Sequence, residues 1–297
     1  MIAGSVAAIV PSLLLLQFLS KKDIGKIKTH KDFLSENKIK FADIGGYHEA
    51  KDMFKEIVRV LKNKEYYENL GIRHPKGVLM YGPSGTGKTM LARAFANEAG
   101  VKFIYICGSE FVELYVGVGS SRVRELFSKA RAAQPCIIFI DEIDAIGFRR
   151  GASMGANREF DSTLNQMLAE MDGLGDNNGI VVIGATNQEL VLDTALIRPG
   201  RFDKKMKIGK PSEIERLEII SIILRSKSHS LGIDEIKRIT KKTNGYTGAE
   251  LGHIINEAAS VAVKNERIDI TEEDVNVAIK LYSVSKQHFE PKGIFRS

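Results

Sequence analysis

The 297-residue sequence has only two cysteines, Cys107 and Cys136, and they share no C-x-x-C spacing. That excludes a disulfide framework and a cysteine metal site, so a reducing compartment is the plain expectation. The six histidines are scattered along the chain. Only His48-Glu49 opens like H-E-x-x-H, and Asp52 stands where the second histidine belongs. No helix therefore carries the two imidazoles that would hold zinc in a peptidase, and no zinc is expected. Internal repeats and low-complexity tracts are also missing. The composition, 43% hydrophobic and 27% charged, is that of an ordinary folded protein and neither disordered nor collagenous.

Charge is absent from residues 1–20, where Leu, Ile, Val and Ala dominate. About twenty such residues span a bilayer core as a helix. A signal peptide is the rival, but the run has no basic start and no small-x-small cleavage pattern. A buried core helix fits poorly with Pro11 and the sharp lysine boundary at Lys21. Between residues 20 and 40, seven lysines face three acids, so this stretch supplies most of the net charge of +6. The basic character is thus local and beside an apolar segment. It reads as a collar next to a membrane, with the rest of the chain on the lysine-rich side, and no nucleic-acid partner is expected. Residues 1–20 are predicted to be a transmembrane helix and 21–40 a polar linker.

From Phe41 onward, apolar periodicity alternates between helix and strand. Ala50, Met53, Phe54, Ile57, Val58 and Leu61 make one helical face. Strands are predicted at Gly77 to Tyr81, Phe103 to Ile106, Cys136 to Ile140 and Val181 to Ala185. The last three are continuous apolar runs, as expected of strands covered on both faces. Helices lie between them, at Thr89 to Ala99, at Ser120 to Ala133 and around Leu164, Met167, Leu168 and Met171. This alternation predicts an α/β fold with a parallel sheet and a ligand at the strands' carboxyl ends. After Pro211 the pattern is helical only, over Glu213 to Arg225, Asp234 to Lys242, Thr247 to Lys264 and Thr271 to Ser283. Thr247 with Glu250 and Thr271 with Asp274 resemble capping boxes. The predicted division is an α/β unit over 41–211, a helical unit over 212–285 and a tail over 286–297.

The chemistry centres on Gly82-Pro83-Ser84-Gly85-Thr86-Gly87-Lys88-Thr89, a complete G-x-x-x-x-G-K-[ST] phosphate loop placed between a strand and a helix. Its backbone N–H groups suit phosphate oxygens, Lys88 the β- and γ-phosphates, and the Thr89 hydroxyl Mg²⁺. Asp141 ends an apolar strand and suits the same metal, and Glu142 is the candidate base that orients water. Asn187 ends another apolar run and is a candidate for facing the γ-phosphate. Arg198 and Arg201 flank Pro199-Gly200; read alone they are a surface ion-pair site, and beside a neighbouring phosphate they are arginine fingers.

Taken together, these residues resemble the AAA family of ATPases. Pro75-Lys76-Gly77-Val78-Leu79, Tyr115-Val116-Gly117-Val118-Gly119, Thr163-Leu164-Asn165-Gln166-Met167-Leu168 and Met171-Asp172-Gly173 narrow the resemblance to its FtsH-like membrane proteases. The likeness covers roughly Phe41 to Lys280. It implies a P-loop NTPase subdomain with an all-helical lid, assembly into a hexameric ring with itself or with FtsH-like relatives, and arginines acting across subunit boundaries. It also implies that Ile44 and Gly45 lie beside adenine. Ser84, Gly85, Thr86, Gly87 and Met90 line the phosphates, and Gly248 and Ala249 approach the nucleotide from the lid. Tyr115, Val116 and Gly117 match a pore loop that grips protein substrates. Ser84 replaces the family's usual proline, which a backbone-held phosphate tolerates. The residues after Ser283 are unlike the family's zinc-peptidase domain, so the expectation is a membrane-anchored unfoldase or translocase in protein quality control, without its own peptidase site. Two alternatives stay open: a protease-less interaction subunit in a ring with full-length relatives, and a fragment of a complete protease.

Overall fold

The computed structural model describes residues 39–63, 69, 75–112, 117–147, 157–175, 179–188 and 192–289. The predicted membrane segment and most of the lysine collar lie outside these residues. Among the described residues, no helix is long and apolar enough to cross a membrane.

The chain enters through α1 (His48–Lys62), β1 (Gly77–Tyr81), α2 (Lys88–Ala99), β2 (Lys102–Cys107), α3 (Val118–Ala132), β3 (Cys136–Asp141), α4 (Asn157–Asp172), β4 (Ile180–Thr186) and β5 (Lys204–Lys207). The five strands form one sheet in the order β2-β3-β4-β1-β5, with every pairing parallel. Side chains alternate across it. Ile138, Ile140 and Val182 face a core completed by Val123, Leu126 and Phe127 of α3 and Leu164, Met167 and Met171 of α4. Ile137, Phe139, Val181 and Ile183 face the opposite core, with Ala50, Phe54 and Ile57 of α1 and Leu91 and Phe95 of α2. Phe54 and Phe95 stack there with ring centroids 4.5 Å apart. Each fully buried side chain of this size contributes about 1.5–3 kcal/mol, so two-sided covering holds the central strands firmly.

Strand β5 has no counterpart in the sequence reading. Lys204-Lys205-Met206-Lys207 buries only Met206, so no apolar run announces it. It is an edge strand, and lysines on an exposed edge discourage pairing with other chains.

A second unit follows, made of α5 (Glu213–Leu224), α6 (Ile233–Lys242), α7 (Gly248–Lys264) and α8 (Glu272–Phe289). Its own core includes Ile220, Leu224, Ile239, Leu251, Ile254, Ile255, Val275 and Ala278. Three of its four helix starts are closed by side chains, α6 beginning instead at Gly232. Thr247 N donates to Glu250 Oε2 at 2.6 Å, and Glu250 N returns to Thr247 Oγ1 at 3.3 Å. Thr271 and Asp274 close the same way at 2.9 and 3.4 Å, so the shorter aspartate also reaches. A third box, Ser212 with Glu215, starts α5 and was not singled out in the sequence. One parallel bridge, His229 to Ile270, is the only strand-like pairing among the described residues of this unit.

Candidate active site

The phosphate loop leaves the carboxyl end of β1 and runs into α2, as such a motif demands. Gly85 and Gly87 take φ values of 76° and 89°, the left-handed region that turns successive N–H groups inward. Lys88 is buried at 8% exposure, and its ammonium donates to Gly82 O at 2.8 Å, Pro83 O at 2.9 Å and Asn187 Oδ1 at 2.7 Å. Burial lowers its pKa from the ordinary lysine value, with Asp141 and Asp144 opposing. Among the described residues, no carboxylate is bonded directly to this buried cation. An anionic phosphate is the partner it is built to receive.

Asp141 ends β3 and accepts from Thr89 Oγ1 at 2.9 Å through Oδ2 and from Glu142 N at 3.0 Å through Oδ1. A hydroxyl and a carboxylate side by side are hard oxygen donors of the kind Mg²⁺ takes, so these residues fit that ion. Glu142 follows at φ 50°, unusual for a residue other than glycine, and its side chain is exposed. Such conformations concentrate at functional sites. The Cys107 thiol donates to Glu142 Oε2 at 3.6 Å, and Ser109 Oγ donates to Cys107 Sγ at 3.0 Å. Behind them, Thr186 Oγ1 donates to Asp144 Oδ1 at 2.7 Å and ties β4 to the turn after β3.

The rest of the site's lining is largely apolar and shared between the two units. Ile44 and Gly45 come from the segment before α1, Ile219, Ile222 and Ile223 from α5, and Gly248 and Ala249 from the start of α7. A Cβ on Gly45 would collide with the Ile219 backbone, so only glycine lets α5 approach this closely. Gly46 N donates to Glu218 Oε2 at 2.8 Å, Tyr47 N to Glu215 Oε1 at 2.7 Å, and Lys51 Nζ to Ile44 O. The Gly46 N–H holds the Glu218 carboxyl below its ordinary pKa, against the opposing effect of burial. Ala249 N donates to Gly85 O at 3.1 Å, linking the helical unit to the phosphate loop itself.

Together these surfaces enclose a cleft of about 590 Å³ lined by Ser84 to Met90, Asp141, Glu142, Asn187 and the apolar residues just named. That volume suits a nucleotide-sized ligand. The structure thus gathers Ile44, Gly45, Ser84, Gly85, Thr86, Gly87, Lys88, Thr89, Met90, Asp141, Glu142, Asn187, Gly248 and Ala249 around one space. It does not bring Arg198 or Arg201 there. Arg198 is exposed, and its side chain has no partner among the described residues. Arg201 grips Asp172 with two hydrogen bonds of 2.9 Å and donates a third to Ala195 O at 2.6 Å. Tyr115 and Val116 lie outside the described residues, and Gly117 opens α3. Sequence reading missed Asp43, Tyr47, Cys107, Asp144, Thr186 and the isoleucines of α5. Asp144 lies two residues past Glu142 and could have been found. The isoleucines read only as a generic apolar helix.

Comparison with known proteins agrees with this geometry. The model for the ATPase family associated with various cellular activities (AAA) matches residues 78–210, and that of the AAA+ lid domain matches 233–277. The chain is 48% identical over 258 residues to the ATP-dependent zinc metalloprotease FtsH 3 of Synechocystis, covering 86% of this chain and 42% of that protein. It is 50% identical over 246 residues to FtsH 2 of Symbiobacterium thermophilum, covering 82% and 42%. It is 47% identical over 259 residues to the chloroplastic FTSH of Nicotiana tabacum, covering 87% and 36%. The chain therefore spans about two fifths of the length of these curated relatives. A phosphate loop, a metal-suited acid and its neighbouring glutamate on a five-stranded parallel sheet, closed by a helical lid, mark the chain as a member of the AAA family of ATPases, of the FtsH type.

Proposed function

We propose that this chain is an ATP-driven protein unfoldase or translocase, anchored in a membrane through residues 1–20 and working as a hexameric ring in protein quality control. The observation that carries the ATP-driven step is the buried Lys88 ammonium, held by three neutral oxygens at the mouth of a glycine-rich loop. In this reading Lys88 exchanges those partners for the β- and γ-phosphates, and the loop's N–H groups take the remaining oxygens. Thr89 and Asp141 hold Mg²⁺, which neutralises charge on the phosphates when bound. Glu142 orients the attacking water and accepts its proton, and Asn187 supports the alignment from the end of β4. Arg198 and Arg201 serve a neighbouring copy's phosphate. The free, exposed guanidinium of Arg198 suits that role directly, whereas Arg201 must first leave Asp172. Tyr115, Val116 and Gly117 grip the protein being pulled, an aromatic ring giving broad apolar contact and the glycine freedom to move.

A second reading, in which the motor works alongside a zinc peptidase, is favoured by the names of the relatives, all ATP-dependent zinc metalloproteases. Co-purification with a partner bearing H-E-x-x-H supports it.

The decisive experiment is unfolding of a tagged substrate by the detergent-solubilised chain with ATP. Glu142→Gln should retain ATP and stop both hydrolysis and unfolding. Tyr115→Ala should keep hydrolysis and lose unfolding. Normal unfolding per ATP by Tyr115→Ala removes the pore-loop assignment, and native ATPase activity in Glu142→Gln removes the catalytic one.

A further inference from the structure

We propose that Glu218 is a positioning residue for the nucleotide: from the lid helix α5 its carboxylate holds the Gly46 N–H and so sets the Ile44-Gly45 wall of the cleft. The inference rests on the reading of the cleft as an ATP site. Glu218 is not among the residues lining the cleft, whereas Asp43, Ile44, Gly45 and Tyr47 are. It acts through the backbone of that segment. Gly46 N donates to Glu218 Oε2 at 2.8 Å, and His48 Nε2 lies 3.1 Å from Oε1. Both carboxylate oxygens are therefore engaged by the stretch that leads into α1. One turn earlier on the same face of α5, Glu215 accepts from the next N–H, that of Tyr47, at 2.7 Å. Ile219 and Ile222 continue that face and line the cleft. One helix face thus walls the cleft and also fixes the other segment that lines it.

The segment needs holding. Gly46 and Tyr47 both have positive φ, 73° and 57°. For a bulky residue such as Tyr47 this left-handed backbone is costly and persists only where its surroundings fix it. Glycine is required at the two positions before it. A Cβ on Gly45 would lie 2.5 Å from Ile219 N, and one on Gly46 would lie 2.7 Å from Glu215 Cβ. Helix α5 can therefore come close enough for its carboxylates to reach main-chain N–H groups. From the other side Lys51 of α1, itself buried, donates to Ile44 O. Burial lowers the Lys51 pKa, and Glu218 is the largest influence opposing it, so the same carboxylate favours the charged ammonium. An ionised acceptor also makes a stronger bond to a main-chain N–H than a neutral one. Binding of a nucleotide against Ile44 and Gly45 and seating of the lid on the α/β unit are thereby linked through one side chain.

The test uses the full chain and two probes, a non-hydrolysable ATP analogue and inorganic tripolyphosphate, titrated by calorimetry. Glu218→Ala should weaken the ATP analogue by about tenfold, the value of one charge-assisted hydrogen bond, and leave tripolyphosphate within about twofold of native. Glu218→Gln keeps an acceptor for the Gly46 N–H and should bind the ATP analogue within about threefold of native. Amide exchange in the native chain supplies a check that needs no variant. The ATP analogue should slow exchange at Gly46 and Tyr47, and tripolyphosphate should not. An affinity of Glu218→Ala for the ATP analogue within about twofold of native overturns the proposal. So does an equal loss of both probes, which marks a general structural role. Glu218→Gln binding as weakly as Glu218→Ala, or equal protection of the two amides by both probes, overturns it too. Lys88→Ala separates this from the nucleotide reading itself, since it should weaken both probes. If the native chain binds neither probe, the nucleotide reading fails and this inference fails with it. If the native chain binds both and only the Glu218 outcomes fail, the nucleotide reading stands without it.

Discussion

The α/β unit and the helical lid enclose one cleft but hold their residues there by different means. In the α/β unit the phosphate end is built at the carboxyl ends of β1, β3 and β4, strands whose side chains are covered on both sides. Lys88, Asp141 and Asn187 thus stand on the least deformable part of the molecule. The lid has a single smaller core, and Ile214, Val263, Ile268 and Leu281 stay largely exposed on it. Its helices depend more on local devices, the three capping boxes and surface ion pairs such as Arg238 with Glu272. It offers the cleft only an apolar wall and the start of α7. A rigid platform for charge and a lighter cover for the base is the division expected of a site that must open and close.

The comparison is sharpened most by the arginines, which belong to neither side of their own cleft. Arg198→Ala should leave ATP binding intact and cut hydrolysis by on the order of a thousandfold in the assembled ring. Mixing it with Glu142→Gln should restore some activity at mixed interfaces. ATPase of the mutant ring at the native rate, or a monomer as active as the ring, breaks the scheme.

Next in size is the phosphate end. Lys88→Ala should weaken nucleotide binding at least tenfold without lowering the melting temperature of the ligand-free chain, because it removes a buried charge whose acceptors are neutral. A large loss of ligand-free stability would mean that Lys88 serves the fold more than the ligand.

In the lid, Thr247→Ala removes a capping oxygen and should cost about 1 kcal/mol of lid stability, read as faster hydrogen exchange along α7 with no change along β3. Equal acceleration in both places would show that the two units unfold as one.

The smallest effect is in pH. Burial by itself raises the Glu250 pKa, but hydrogen bonds from Lys286, Thr247 and Tyr282 outweigh it and bring the value to about 2. The folded pKa lies below the unfolded one, so this contribution is full above about pH 4.5 and is lost as pH falls toward 2. Melting curves of the native chain and of Glu250→Gln should converge over that window. A constant gap between them would mean the carboxylate's charge is immaterial.

Much of this was legible because the signals were local. The apolar runs at Cys136 to Ile140 and Val181 to Ala185 became β3 and β4 within one residue at each end, since strands buried on both faces leave continuous runs. Thr247 and Glu250 announced the start of α7 by spacing alone. Strand β5 gave no such signal, because a lysine-rich edge strand is defined by its neighbour and not by its own pattern. Arg201 could be read as finger or ion pair from its sequence, and only the folded chain shows it bound to Asp172, 29 positions earlier.

The sequence by itself determined the alternation of strands and helices, the phosphate loop with its lysine and threonine, and the Asp141-Glu142 pair, because each depends on spacing between neighbours. Tertiary structure decided what lies across space. It set the strand order that puts Asn187 against Lys88 and the approach of Glu215 and Glu218 to Gly46 and Tyr47. Those pairs are separated by about a hundred positions or more, and no periodicity in a chain encodes a contact that only closure of the fold creates.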